Sequence, residues 1–319
     1  MRVQSRSTPR TNPALNFAPF RRSRLRDKAT QPAGPLSLAT DPTLQGDRSM
    51  DTLWRVIQHT ILVLGLFAPS MSYATPDLCT PLTQRQIAKN NSLSDDAAHL
   101  APYAIMSNNA YERGDSPIPL PDGWKEVTEL RKRLPNVGLA LAVFERYESD
   151  KLVEIVVAFR GTDEKKDWVQ NLVPFFRNQI NPASEEFEKI LKLYEEQNIA
   201  IVTTGHSLGG GLAFHMSFTY PNVDAIAFNS SPVTKAGTKI KKGNRRTSVW
   251  ESGEILQAPR NPVNWIRIRW RDIRRLEFRF LHGLPVNQHG IELFASNLTK
   301  LGATKSNQLK GLISSQCTK

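Results

Sequence analysis

The run Thr204-Gly205-His206-Ser207-Leu208-Gly209-Gly210-Gly211-Leu212-Ala213 decides the reading of this chain. Its centre is a G-x-S-x-G pattern, the signature of a sharp strand-to-helix turn that lifts a serine Oγ out of a sheet. The residues before it, Asn198 to Thr204 (NIAIVTT), form a short β-branched run that reads as a strand. Those after it, Gly210 to Thr219, space Leu212, Ala213, Met216 and Phe218 as a helix does. Glycines flank the serine because the inside of so tight a turn has no room for side chains. The N–H groups that follow at the helix start are then aimed where an oxyanion would develop. A glycine-rich turn with an incidental serine is the plainer alternative.

Working outward, Gly138 to Tyr147 (GLALAVFERY) and Lys151 to Arg160 (KLVEIVVAFR) are apolar, β-rich and separated by Glu148-Ser149-Asp150, which predicts a hairpin. Pro182 to Gln197 places Phe187, Ile190, Leu191 and Tyr194 at helical spacing, and Val223 to Asn229 reads as a further strand. Strand, helix, strand, helix, strand is the order of an α/β sheet built from crossovers. A chain of 319 residues with 39% hydrophobic content can bury one sizeable core of that kind.

The extended serine motif, Val157-Ala158-Phe159-Arg160-Gly161-Thr162 upstream of it, Asp167-Trp168, and the opening Ala104-Ile105-Met106-Ser107-Asn108-Asn109-Ala110-Tyr111 together resemble the class 3 lipases of the α/β-hydrolase superfamily. The resemblance covers about Leu100 to Ala303. It implies an α/β-hydrolase fold with a mostly parallel sheet flanked by helices, and a serine ester hydrolase acting on lipids. It also implies an oxyanion hole from Thr162 and Leu208. Thr162 could equally cap a helix starting near Asp163. Asp163 to Leu172 aligns with the family's helical lid, although a fixed surface helix anchored by Trp168 fits the same pattern.

In this superfamily the triad follows the chain order Ser, Asp/Glu, His. The acid belongs after the strand near Thr247 to Leu256, where family members place an Asp after a Gly and this chain has Gly253-Glu254. Glu254 is the candidate, Glu251 the reserve, and Asp224 and Asp272 lie further from the expected position. Of six histidines only His282 and His289 follow the acid. His289 stands immediately before a helix, as the family's catalytic histidine does. The candidate triad is Ser207, Glu254 and His289. Neither H-x-x-x-H nor paired CxxC occurs, so the sequence calls for no metal or other cofactor.

The net charge is +12 and unevenly spread. Residues 1–49 are rich in Arg, Ser, Thr and Pro with little apolar periodicity, the composition of a disordered extension. Residues 50–74 carry an apolar run, Thr60 to Ala68 (TILVLGLFA), and then Ser72-Tyr73-Ala74, which reads as a signal peptide cleaved before Thr75. A start at Met50, with 1–49 an over-extended gene model, reconciles the two. A buried apolar helix or short membrane anchor is the alternative. The hydrolase domain is then 75–319, exported to the periplasm or the medium. Cys79 and Cys317 both remain in it and could pair in an oxidising compartment or stay as free thiols.

Between Lys235 and Arg279 lie 13 basic residues against four acidic ones, with Trp265, Ile266, Ile268, Trp270 and Phe278 among them. Such a surface suits anionic lipid headgroups. Beside an acyl-hydrolase core these are the more coherent target, and no nucleic-acid partner is expected. A solvated, charge-rich edge strand over Arg267 to Arg271 is the plainer reading. From a different class comes a catalytically silent hydrolase scaffold that binds anionic membranes or polyanions. Oligomeric state is not legible in the sequence. The export reading predicts that mass spectrometry of secreted protein finds Thr75 as the N-terminus; an intact leader on the secreted chain would contradict it.

Overall fold

Two adjacent strands set the layout. In a computed structural model describing residues 77–111, 117–161, 168–231, 241–257, 273–281, 284–285 and 287–318 (168–177 by backbone alone), they form a two-residue hairpin. They are β3 (Leu139–Glu148) and β4 (Lys151–Phe159). Ser149 and Asp150 both have positive φ, 48° and 64°, the conformation that matches the right-handed twist of paired strands. Residues along both strands alternate between two buried layers. Ala142, Phe144, Val156 and Ala158 face one, and Leu141, Val143, Ile155, Val157 and Phe159 face the other. Two-sided burial explains why both strands read as near-continuous apolar runs.

Before the hairpin come α1 (Gln84–Asn90), α2 (Ser94–Asn109), β1 (Trp124–Glu126) and β2 (Lys132–Leu134), both short strands pairing antiparallel with β3. After it the described chain follows α3 (Trp168–Leu193), β5 (Ala200–His206), α4 (Leu208–Thr219), β6 (Val223–Phe228), β7 (Arg246–Glu251) and β8 (Ile273–Phe278). It closes with α5 (Ile291–Gly302) and α6 (Asn307–Cys317). The sheet order is β1-β3-β4-β5-β6-β7-β8, with β2 also on β3, and every pairing from β4 to β8 is parallel. This is the mostly parallel sheet flanked by helices that the sequence implied.

The core lies on both faces. On one, α2 and α5 pack through Leu100, Ala104, Phe294 and Leu298. On the other, α3 and α4 pack through Phe187, Ile190, Leu212 and Met216. Phe228, Phe278 and Phe280 surround Phe294 with ring centroids 6.1 to 6.2 Å from it. Fully burying each such ring is worth roughly 1.5–3 kcal/mol, so this cluster anchors the start of α5 against the ends of β6 and β8. The first turn of α5 directly follows His289.

One element differs from the sequence reading. The amphipathic helix expected from Pro182 begins at Trp168, so Val169 to Leu172 of the lid-like segment belong to the same helix. Its apolar positions, Val169, Leu172, Val173, Phe176, Ile180, Ala183, Phe187 and Ile190, keep one 3.6-residue stripe through both Pro174 and Pro182, and the stripe outweighs the prolines. The edge strand is Ile273–Phe278. Arg267 to Arg271, the leader at 50–74, the extension at 1–49 and Asp163 to Asp167 lie outside the described residues. Among the described residues no helix is long and apolar enough to cross a membrane.

Cys79 and Cys317 form a disulfide with Cα atoms 5.3 Å apart, spanning 238 positions. The N-terminal segment it holds is also tied to α5, where Ser296 Oγ and Lys300 Nζ donate to the Asp77 carbonyl and Lys300 Nζ also to that of Thr80. Closing a loop this long is worth about 5 kcal/mol on the chain-entropy account. Reduction is expected to lower the melting temperature by several degrees in matched thermal scans; free thiols at both positions in native protein would contradict the bridge.

Candidate active site

Ser207, Leu208, Glu254 and His289 stand at the C-terminal edge of the parallel strands, where α/β sheets bind ligands. β5 ends at His206 and α4 begins at Leu208, leaving Ser207 as the whole of the turn with φ 56° and ψ −121°. A non-glycine residue there is strained by about 1–3 kcal/mol. Its surroundings enforce it. A Cβ on Gly209 would come within 2.0 Å of the Phe159 carbonyl oxygen, and one on Gly205 within 2.6 Å of the same atom. The helix start is therefore pressed onto the end of β4. Ser207 N–H donates to the Phe228 carbonyl at 3.0 Å, and the Ser207 carbonyl accepts from Ser231 N–H at 2.9 Å and Gly211 N–H at 3.2 Å.

Leu208 is the first residue of α4, so its N–H is among the helix-start donors with no acceptor within the helix, at the positive end of the dipole. Thr162 lies outside the described residues, but Gly161 before it does not. A Cβ on Gly161 would stand 3.3 Å from Ser207 Cβ and 2.2 Å from Tyr111 Oη, so the loop after β4 runs against the serine.

The acid side is built by β7 and the turn after it. Gly253 has φ 84°, and a Cβ there would come within 2.7 Å of Gln288 Oε1. Glycine at this position lets the chain double back and present Glu254. Its Oε2 lies 2.7 Å from His289 Nδ1 and accepts Leu256 N–H at 2.8 Å; both side chains are buried. His289 ends a short 3-10 turn, Asn287–His289, and its ring centroid is 4.7 Å from that of His206, the residue beside Ser207.

The remaining candidates fall elsewhere. Glu251, the reserve acid, is fully buried, and its Oε1 accepts N–H groups from Phe280 at 2.8 Å and Leu281 at 3.0 Å. It clasps the chain leaving β8. Asp224 is at the far end of β6, bound by the backbone N–H and Nε of Arg245. Asp272 and His282 lie outside the described residues.

Three residues at the site were not read as functional. Tyr111 Oη is 2.8 Å from His206 Nδ1, and His206 Nε2 is 2.6 Å from the His289 carbonyl oxygen. Asn229, held at φ 42° after β6, donates from Nδ2 to the same carbonyl at 3.1 Å and accepts Glu251 N–H on Oδ1 at 2.9 Å. The only sequence signals were an Asn at the strand end, a residue type that tolerates positive φ, and a His inside the turn.

Burial pushes the Glu251 carboxyl up to about 8, against a partial offset from the Leu281 and Phe280 N–H groups. The folded chain therefore keeps a proton that the unfolded chain releases near its ordinary value of 4.5. Folded-state stability falls as pH rises between these values and loses no more above the upper one. Glu251→Gln removes the titration, so the melting temperature of the variant relative to the parent is expected to rise from pH 5 to pH 9. A constant difference across that range would contradict a neutral, buried Glu251.

Residues 102–251 match the family model Phospholipase-like, a Tle-like phospholipase domain; the match contains Ser207 and stops three residues short of Glu254. No curated protein matches the chain. Among solved structures, lipase II from Rhizopus niveus is similar at 14% identity and TM-score 0.38, over 53% of this chain and 76% of that one. M37 lipase is similar at 12% identity and TM-score 0.33, over 68% and 92%. A hormone-sensitive lipase from a metagenome library is similar at 9% identity and TM-score 0.34, over 81% and 98%.

Proposed function

We propose that this lipase-like α/β-hydrolase cleaves carboxylic ester bonds of lipids through an acyl-enzyme on Ser207, with His289 as general base and Glu254 as its orienting acid. The observation that carries the reading is the 2.7 Å contact between His289 Nδ1 and Glu254 Oε2, on a loop packed against the strained turn of Ser207.

At neutral pH a serine hydroxyl is a poor nucleophile. As Oγ attacks the ester carbonyl carbon, its proton passes to His289 Nε2, and the carbonyl oxygen becomes an oxyanion facing Leu208 N–H and the Thr162 loop. Collapse breaks the carbon–oxygen bond to the alcohol, which leaves with the proton from Nε2. Water, deprotonated by the same nitrogen, then attacks the acyl-enzyme, releases the fatty acid and returns the proton to Ser207. Glu254 holds the proton on Nδ1, leaving Nε2 basic, and stabilises the imidazolium. Glutamate in place of aspartate brings one more methylene, which the turn at Gly253 accommodates.

A phospholipid ester is the substrate class we favour, from the description of the matching family and from the basic surface that would hold an anionic bilayer. Part of that surface is already engaged, since Arg245 pairs with Asp224, Arg274 with Asp96 and Arg279 with Glu277. The disulfide supports an exported location, because such bonds persist in oxidising compartments.

Ser207→Ala is expected to abolish hydrolysis of phospholipid vesicles and of p-nitrophenyl butyrate while the fold is retained. His289→Ala should cost on the order of 10⁴ in kcat, and Glu254→Gln roughly 10³–10⁴. Full activity in Ser207→Ala would remove the reading. A parent protein that binds anionic vesicles yet turns over no ester would establish the silent scaffold instead.

A further inference from the structure

We propose that His206, Asn229 and Tyr111 act as positioning residues that clamp the backbone of His289, fixing where its imidazole meets Ser207. The inference rests on the proposed roles of Ser207 and His289. A catalytic imidazole needs two constraints, one on its ring and one on the chain that carries it. Glu254 supplies the first. The second is less obvious, because His289 sits on a single 3-10 turn between β8 and α5.

The His289 carbonyl oxygen has two lone pairs, and each meets a buried side-chain donor from the sheet: His206 Nε2 at 2.6 Å and Asn229 Nδ2 at 3.1 Å. The orientation of both donors follows from backbone groups whose roles cannot change. A carbonyl only accepts, so His206 carries its proton on Nε2. With the ring neutral, Nδ1 is the acceptor, and Tyr111 Oη stands 2.8 Å from it as donor. A backbone N–H only donates, so the Asn229 amide oxygen faces Glu251 N–H and its NH2 group faces His289. The clamp thus joins the ends of α2, β5, β6 and β7 to the histidine loop. Tyr111 also abuts Gly161, so the same hydroxyl contacts the loop that leads into Thr162.

Three variants separate positioning from folding. Asn229→Asp keeps the acceptor for Glu251 N–H but turns an oxygen toward the His289 carbonyl. His206→Phe removes the donor, and His206→Gln restores an N–H near the Nε2 position. Because displacement of a reacting group by about 1 Å can cost 10²-fold, Asn229→Asp and His206→Phe are expected to lower kcat for p-nitrophenyl butyrate roughly 10- to 100-fold. This kcat is counted per phosphonate-titrated site, with KM within about twofold. His206→Gln should recover most of the loss. Long-range ¹H–¹⁵N spectra of the parent should show His206 as the Nε2–H tautomer, a readout that needs no variant to fold.

Parental kcat per titrated site in Asn229→Asp and His206→Phe would overturn the clamp, as would an Nδ1–H tautomer for His206. Fewer titratable sites at unchanged kcat would also overturn it, since that is mere loss of folded protein. Activity surviving Ser207→Ala would instead remove the reading on which the clamp rests, so the two failures are distinguishable.

Discussion

Ser207 occupies a backbone conformation that costs free energy, and the end of the sheet is arranged to hold it there. The turn exists because Gly205 and Gly209 let the start of α4 rest on the Phe159 carbonyl, closer than any side chain would allow. Hydrogen bonds to Phe228, Ser231 and Gly211 then tie the serine backbone to β6 and its own helix. The strain is therefore held by three neighbours rather than by the turn alone. It leaves the serine at the point where β4, β5 and β6 end together, with helix-start N–H groups directly behind it.

Two buried carboxyls three residues apart, Glu251 and Glu254, show how environment divides labour. Glu254 meets an imidazole nitrogen and a backbone N–H, partners suited to a carboxylate beside the proposed base. Glu251 accepts two backbone N–H groups, and burial pushes its carboxyl up to about 8, so that it holds its proton at neutral pH. A neutral Glu251 spares Glu254 a second negative charge nearby. It also joins the ends of β7 and β8, which carry the acid and lead to the histidine.

Much of the fold was legible in the sequence because the deciding signals are local. The hairpin of β3 and β4, the β5–turn–α4 unit and the strand from Val223 each announce themselves through periodicity and turn residues within about ten positions. The helix from Trp168 is longer than the sequence predicts because two prolines interrupt its apolar stripe, and the part of that stripe from Ile180 onward packs against the sheet. The site was less legible. Glu251 and Glu254 share one turn, and only the positive φ of Gly253 and the reach of His289 distinguish their surroundings. The contacts of Tyr111 with His206, and of His206 and Asn229 with His289, span 95, 83 and 60 positions of sequence, and no spacing rule links them. Arg267 to Arg271, Thr162 and His282 lie outside the described residues.

The central claim is that Ser207 is the activated nucleophile of a buried Ser-His-Glu arrangement, and covalent labelling tests it most directly. A fluorophosphonate added to the native protein should form one adduct, mapped by mass spectrometry to the peptide carrying Ser207, and Glu254→Gln should slow its formation greatly. An adduct on Ser230 or Ser231, or a folded protein that takes up no label, would contradict the account.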